Sequence, residues 1–151
     1  MAWTNRGAKR VFGIAFPATN VPTHWYAVLC TSASAPSRTT NTMAELTEIA
    51  AGNGYTSGGF QLTRNGTDWD TLNEDDSTHF ASVLAKDITW TASGGSLPVS
   101  GSGARYLVIT DDNVTLNSRE VIGYFDLGGD TSVSIGQPLT ITDAGFKISP
   151  Q

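Results

Sequence analysis

Two histidines, one cysteine and fourteen carboxylates are the residues of this chain whose types could do chemistry. His24 and His79 stand far apart, and neither falls in the HxH or HxxxH spacing that brings two imidazoles to one metal. No GxSxG elbow is present to expose a serine nucleophile, so a Ser-His-Asp relay has no anchor in the sequence. Both histidines read as ordinary surface or loop residues. Cys30 is the only cysteine, which excludes an intramolecular disulfide and a cysteine-rich zinc site. It lies in the apolar run Trp25-Tyr26-Ala27-Val28-Leu29-Cys30, where a thiol behaves as a small buried hydrophobe. No catalytic residue, metal ligand or cofactor-binding residue is assigned.

The densest acidic segment is residues 68–76, with Asp68, Asp70, Glu74, Asp75 and Asp76. Carboxylates two apart can gather oxygen ligands for calcium, but the twelve-residue loop with a central Gly and a terminal Glu is missing. A solvated loop is the plainer reading. A glycosidase pair would need two strands to bring carboxylates across a cleft, and no pattern marks one. Gly52-Asn53-Gly54 belongs to GxGxxxGG and not to a phosphate-cradling GxGxxG, so it reads as a turn. Asn65-Gly66-Thr67 matches a glycosylation triplet, which has no meaning without export. Trp3, Trp25, Trp69 and Trp90 could form a sugar platform. Trp25 and Trp90 sit in strand-like runs and are assigned to the core. Trp69, in the acidic loop, is expected to be exposed.

The elements that must position these residues are mostly strands. Of 151 residues only 15% are charged, while Ser, Thr and 16 Gly are plentiful, the composition of strands and turns. Alternating or β-rich runs cover Thr23 to Thr31, Phe60 and Leu62, Ala104 to Thr110, Val121 to Leu127, Val133 and Ile135, Leu139 and Ile141, and Phe146 and Ile148. Phe80 to Trp90 reads as one longer strand with a bend or bulge. About seven or eight strands at regular spacing predict an all-β, single-domain, jelly-roll-like antiparallel β-sandwich over residues 21–151. One short helix is expected after Thr42-Met43-Ala44-Glu45, a capping box followed by Leu46, Ile49 and Ala50 on one face. Residues 1–20 read as an N-terminal arm. Val11, Ile14 and Ala15 have helical spacing there, weakened by Gly7 and Gly13.

The net charge of −5 argues against nucleic-acid binding, which needs a basic stripe. Arg6, Lys9 and Arg10 form the one basic cluster, readable as a solvated face or as a docking arm for an acidic partner. The apolar run that follows, Val11 to Phe16, is too short for a secretory leader and is closed by Pro17. No run approaches the roughly 18 apolar residues of a membrane span. The lone thiol and the absent leader fit synthesis in a reducing cytoplasm.

Several segments carry a resemblance in their joint order. They are Trp3-Thr4-Asn5-Arg6-Gly7, Pro22 with Tyr26-Ala27-Val28-Leu29 and Thr31-Ser32, and Leu46-Thr47-Glu48-Ile49 with Gly54-Tyr55-Thr56-Ser57-Gly58-Gly59. Trp90-Thr91-Ala92-Ser93-Gly94-Gly95, Ala104-Arg105-Tyr106 and Gly136-Gln137-Pro138-Leu139-Thr140 complete the set. In this order the chain resembles small virion proteins of tailed bacteriophages. The resemblance implies a non-enzymatic structural protein, made in the bacterial host cytoplasm and carried on the head or in the tail. A single domain without a repetitive shaft fits a capsid decoration, or cement, protein better than a fibre. Its implied partners are the major capsid protein and further copies of itself, as a homotrimer on the capsid exterior. Trp3, Arg6, Lys9 and Arg10 are the expected capsid contacts. The alternatives are a tail adaptor or fibre protein and a host-carbohydrate-binding module, with a cryptic hydrolase third.

Overall fold

The computed structural model describes residues 1–149. Ten strands and one α-helix follow each other as β1 (Ala2–Trp3), α1 (Asn5–Ala15), β2 (His24–Cys30), β3 (Phe60–Thr63), β4 (Thr71–Asp75) and β5 (Phe80–Leu84). Then come β6 (Ile88–Thr91), β7 (Ala104–Thr110), β8 (Val121–Thr131), β9 (Pro138–Ile141) and β10 (Gly145–Ile148). All strand pairs are antiparallel. The main sheet has the order β1-β8-β7-β2-β3, and two smaller sheets, β10-β5-β4 and β6-β9, lie against it. The chain is therefore all-β and sandwich-like.

Alternation explains why the main sheet is wet on neither face. Ala27, Leu29, Leu107 and Ile109 point toward the small sheets and join Ile88, Trp90, Leu139 and Phe146 in the principal core. Val28, Cys30 and Val108 point the other way, under Met43, Leu46 and Leu116 of the covering loops. A sheet apolar on both sides reads as a continuous hydrophobic run, as Ala27 to Cys30 does.

Three expectations need correction. The Thr42/Glu45 capping box forms, but it starts a single 3-10 turn, Met43–Glu45, and not a helix through Ala50. The chain instead turns extended at Leu46, because Thr31 and Leu29 take up the backbone groups of Thr47 and Ile49. The α-helix lies at Asn5–Ala15, its first turn capped by the Thr4 hydroxyl on the Gly7 amide at 2.8 Å. Phe80 to Trp90 is two strands in two different sheets, with Ala85 and Lys86 making the crossing. Val133 makes only an isolated bridge to Leu97, since β8 runs on to Thr131 and Gly136 forces an early turn. The division of the second layer into two small sheets leaves the jelly-roll arrangement without support in the strand order.

Candidate functional site: an apolar cleft between the sheets

Where the small sheet β10-β5-β4 splays from the main sheet, a cleft of about 490 Å³ opens. Trp25, Ile109 and Ile122 of the main sheet form its floor. Val83, Phe146 and Ile148 form the opposite wall, and Leu72 of β4 stands at the rim. Leu72 is 84% exposed and Ile148 53% exposed, both large for aliphatic side chains. Val11 of α1 closes one end.

Three of the four tryptophans meet here. Trp3 stacks on Phe146 with ring centroids 4.3 Å apart, and its indole N–H donates to the Lys147 carbonyl at 3.0 Å. Since β1 pairs with β8, this one side chain ties the main sheet to the small one. Gly123 permits the stack, because a Cβ there would lie 2.4 Å from Cε1 of Phe146. Trp69 is not exposed as expected. It is half-buried against the core, its indole N–H enclosed without an acceptor. The cause is the loop that carries it. The Asp68 carboxylate accepts from the Thr63 amide at 2.7 Å and pairs with Lys86, and Asn65 accepts from the amides of Thr67 and Asp68. The Lys86 ammonium beside Asp68, with the Thr63 amide, holds its carboxyl below the usual carboxylate range. Trp90 is core, 5% exposed, as expected.

The acidic segment is thus partly structural. Asp68 locks the loop, and Asp75 accepts from the hydroxyls and amides of Ser77 and Thr78 to close the β4–β5 hairpin. Those bonds bring the Asp75 carboxyl down to about 2. Asp70, Glu74 and Asp76 remain exposed. Among the described residues no three His, Cys, Asp or Glu side chains gather to hold a metal ion.

The expected contact residues Trp3, Arg6, Lys9 and Arg10 are not on one surface. Trp3 turns into the cleft. Arg6 pairs with Glu120 at 3.2 Å, and Arg10 pairs with Asp111 at 3.0 Å and Glu120 at 3.3 Å. Of the three cations only Lys9 is exposed, and Arg6 and Arg10 are partly buried. Residues 2–15 are therefore docked by strand pairing, by helix packing and by ion pairs. His24 shares a hydrogen bond with Gln61, and His79 sits exposed at the hairpin tip with φ of 55°.

The sequence reading missed the cleft because its walls come from strands far apart in the chain. Its one legible signal is the pair of apolar residues Trp69 and Leu72 within an otherwise acidic and polar run. No family model matches the chain, and neither the curated proteins nor the solved structures include a match.

Proposed function

We propose that this chain is a structural protein of a tailed-bacteriophage virion that acts by binding and not by catalysis, and within that class a capsid decoration protein. The observation that carries the binding part is uncovered apolar surface. The cleft rim at Leu72 and Ile148, and the Phe12–Phe16 pair at 64% and 80% exposure, leave large hydrophobic groups in water. Monomers seldom keep such patches unless something covers them. The virion part is supported by the ordered resemblance of its segments.

On this reading the major capsid protein covers the cleft rim, and neighbouring copies in a homotrimer cover the Phe12–Phe16 pair, on the outside of the head. Binding only to assembled shells would stabilise them by mass action. The reading includes no nucleic-acid or membrane partner. No helix of the described residues is long and apolar enough to cross a membrane. Lys9, with the exposed part of Arg6, is what the helix has left for an acidic capsid surface. A carbohydrate platform gains less support. Trp3, Trp25 and Trp69 do converge, but only Arg64, Asn65 and Ser82 add polar groups to the lining, too few to satisfy sugar hydroxyls.

The test is copy number in purified virions, by quantitative densitometry against the major shell protein. Hundreds of copies per particle support a shell-wide decoration protein. A few to a few dozen move it to the tail or a vertex, and absence from the particle refutes the virion reading.

A further inference from the structure

The strand β4 is the outer strand of its sheet, and among the described residues its only strand neighbour is β5. Its register, Leu72 with Val83 and Glu74 with Ala81, occupies one edge of the backbone. The other edge leaves alternate N–H and C=O groups open to water along a strand whose first four residues are all exposed. Such an edge is a template for another strand unless charge or a bend blunts it.

Two further features lie on the same strand. Leu72 lines the apolar cleft while being 84% exposed, so the cleft opens beside the free edge. Glu74 is two residues on, hence on the same face as Leu72, and Asp70 and Asp76 flank the strand. Among the described residues none of these three carboxylates has an ion pair, and Asp75 faces its own turn. Three cations of the surrounding elements have other contacts: Lys86 pairs with Asp68, Arg64 donates to the Pro22 carbonyl, and Lys147 lies over the ring of Phe80.

We propose that β4 is a docking edge for an extended, basic segment of a protein partner, which adds as a strand and inserts an apolar side chain into the cleft. The register sets the requirement. A partner residue opposite Leu72 must be apolar, because it joins Leu72 over Trp69 and Val83. The residue two positions away faces Glu74 and must be Lys or Arg, since an opposite charge directly across a strand pair is favourable and a like charge is not. Main-chain bonds along the edge supply affinity, and the cleft supplies selectivity. A second copy of this chain is the wrong occupant, since pairing β4 with itself would set three free carboxylates against three more. The inference concerns the isolated chain and does not depend on the virion reading.

The probe is a blocked nine-residue peptide with Lys and Leu alternating on one face and Thr between them. Binding is read from the indole fluorescence of the full chain at low salt, with amide hydrogen exchange as a second readout. The expected result is saturable binding with Kd below about 1 mM, weakening with salt, and slowed exchange at Leu72 to Glu74. A Glu-for-Lys peptide should bind at least about tenfold more weakly. The double variant Glu74→Lys, Asp76→Lys should lose about tenfold for the Lys peptide and gain for the Glu peptide. Both substitutions are at exposed positions, and an unchanged far-ultraviolet spectrum verifies the fold. No binding, equal binding of the two peptides, or unchanged exchange in β4 overturns the proposal. So does a dimer of the chain alone that Leu72→Ser abolishes, which would make the edge a self-association site.

Discussion

Gly7 and Gly13 sit on the same helix, and substitution to Ala should move stability in opposite directions. In an exposed helix interior, Ala is favoured over Gly by up to about 1 kcal/mol. By that measure both changes would help. The packing of α1 decides otherwise. Gly7 is buried where the helix crosses β8, and a Cβ on it would lie 1.9 Å from the carbonyl oxygen of Ile122 and 2.5 Å from its carbon. These are backbone atoms of β8, at a bulge flanked by Val121 and Gly123, which pair with β7, and they have little freedom to swing aside. The helix must back away by more than about 1 Å to reach ordinary contact. That movement stretches the Thr4 amide bond to Ile122 at 3.1 Å and the Thr4 cap on the Gly7 amide.

Overpacking of this kind costs about 1–3 kcal/mol, and each hydrogen bond lost adds about 1 kcal/mol. Against a propensity gain of about 1 kcal/mol, Gly7→Ala should destabilise by about 1–3 kcal/mol, or roughly 3–10 °C in Tm for a chain of this size. At Gly13 the nearest atom to a Cβ is the Thr19 hydroxyl at 3.3 Å, on an exposed loop that can yield by a few tenths of an ångström. Gly13→Ala should therefore be neutral to stabilising by about 0.5 kcal/mol. Urea and thermal unfolding followed by circular dichroism measure both. If Gly7→Ala matches or exceeds the parent in stability, the close packing of α1 on β8 is wrong, and with it the account of the N-terminal segment as a docked element.

The Cys30 thiol, fully buried and pushed up to about 12 first by burial and then by Glu48, should resist iodoacetamide at pH 8 in the folded chain and react at once in urea. Glu48→Ala should cost about 2–3 kcal/mol in urea unfolding, because its carboxylate accepts from the Tyr55 hydroxyl at 2.7 Å, the Ser57 hydroxyl at 2.8 Å and the Gly58 amide at 2.6 Å. A cost below about 0.5 kcal/mol would mean that water replaces those bonds without loss. Asp75 has its folded carboxyl below the unfolded value of 3.8, so its support for the hairpin is complete above that pH and is lost as pH falls through about 2. Carboxyl chemical shifts titrated from pH 6 to 1.5 should place its midpoint near 2, and Asp75→Asn should remove the acid dependence of Ser77 and Thr78 amide exchange. A midpoint near 4 would show that the turn bonds do not hold the ionised form.

The strands with strong alternation were legible because burial on one face imposes period two, as in Phe60, Leu62 and in Leu139, Ile141. What failed was local reading overruled by tertiary pairing. The capping box at Thr42 is real chemistry. Yet Leu46 to Ile49 are drawn into extended backbone by Leu29 and Thr31 across the sheet, and the weak helix at Asn5 wins because β8 buries its first turn. The strands β1 and β4 went unread for a different reason. A two-residue strand has no period, and the exposed edge Thr71–Asp75 has almost nothing to bury. The segments that carry the virion resemblance are structural in the fold. Glu48 clamps Tyr55, Ser57 and Gly58, Gly54 lies against the Thr91 carbonyl, and Gly59 lies against that of Ala27. A Cβ at either glycine would come within 2.1 Å of that oxygen, and both have positive φ. The resemblance therefore follows mostly the residues that hold loops against strands, and it meets the cleft only at Trp3.

The charge distribution reverses the electrostatic expectation drawn from the sequence. Read along the chain, the basic run Arg6, Lys9, Arg10 is the feature that would attract a partner, and an acidic one. Folded, Arg10 is enclosed with Asp111 and Glu120, and Arg6 shares Glu120, so two of the three cations are balanced within the molecule. Their field at a distance is that of a near-neutral pair, which falls off faster than a lone charge and is screened further by salt. Among the described residues the carboxylates Asp70, Glu74 and Asp76 have no such ion-pair partners, and they share one edge with an apolar opening. At long range β4 therefore attracts a basic partner, where the basic run of the helix attracts little. Removing Lys9 alone should change salt-dependent association less than reversing Glu74 and Asp76, whatever protein supplies the other half of the contact.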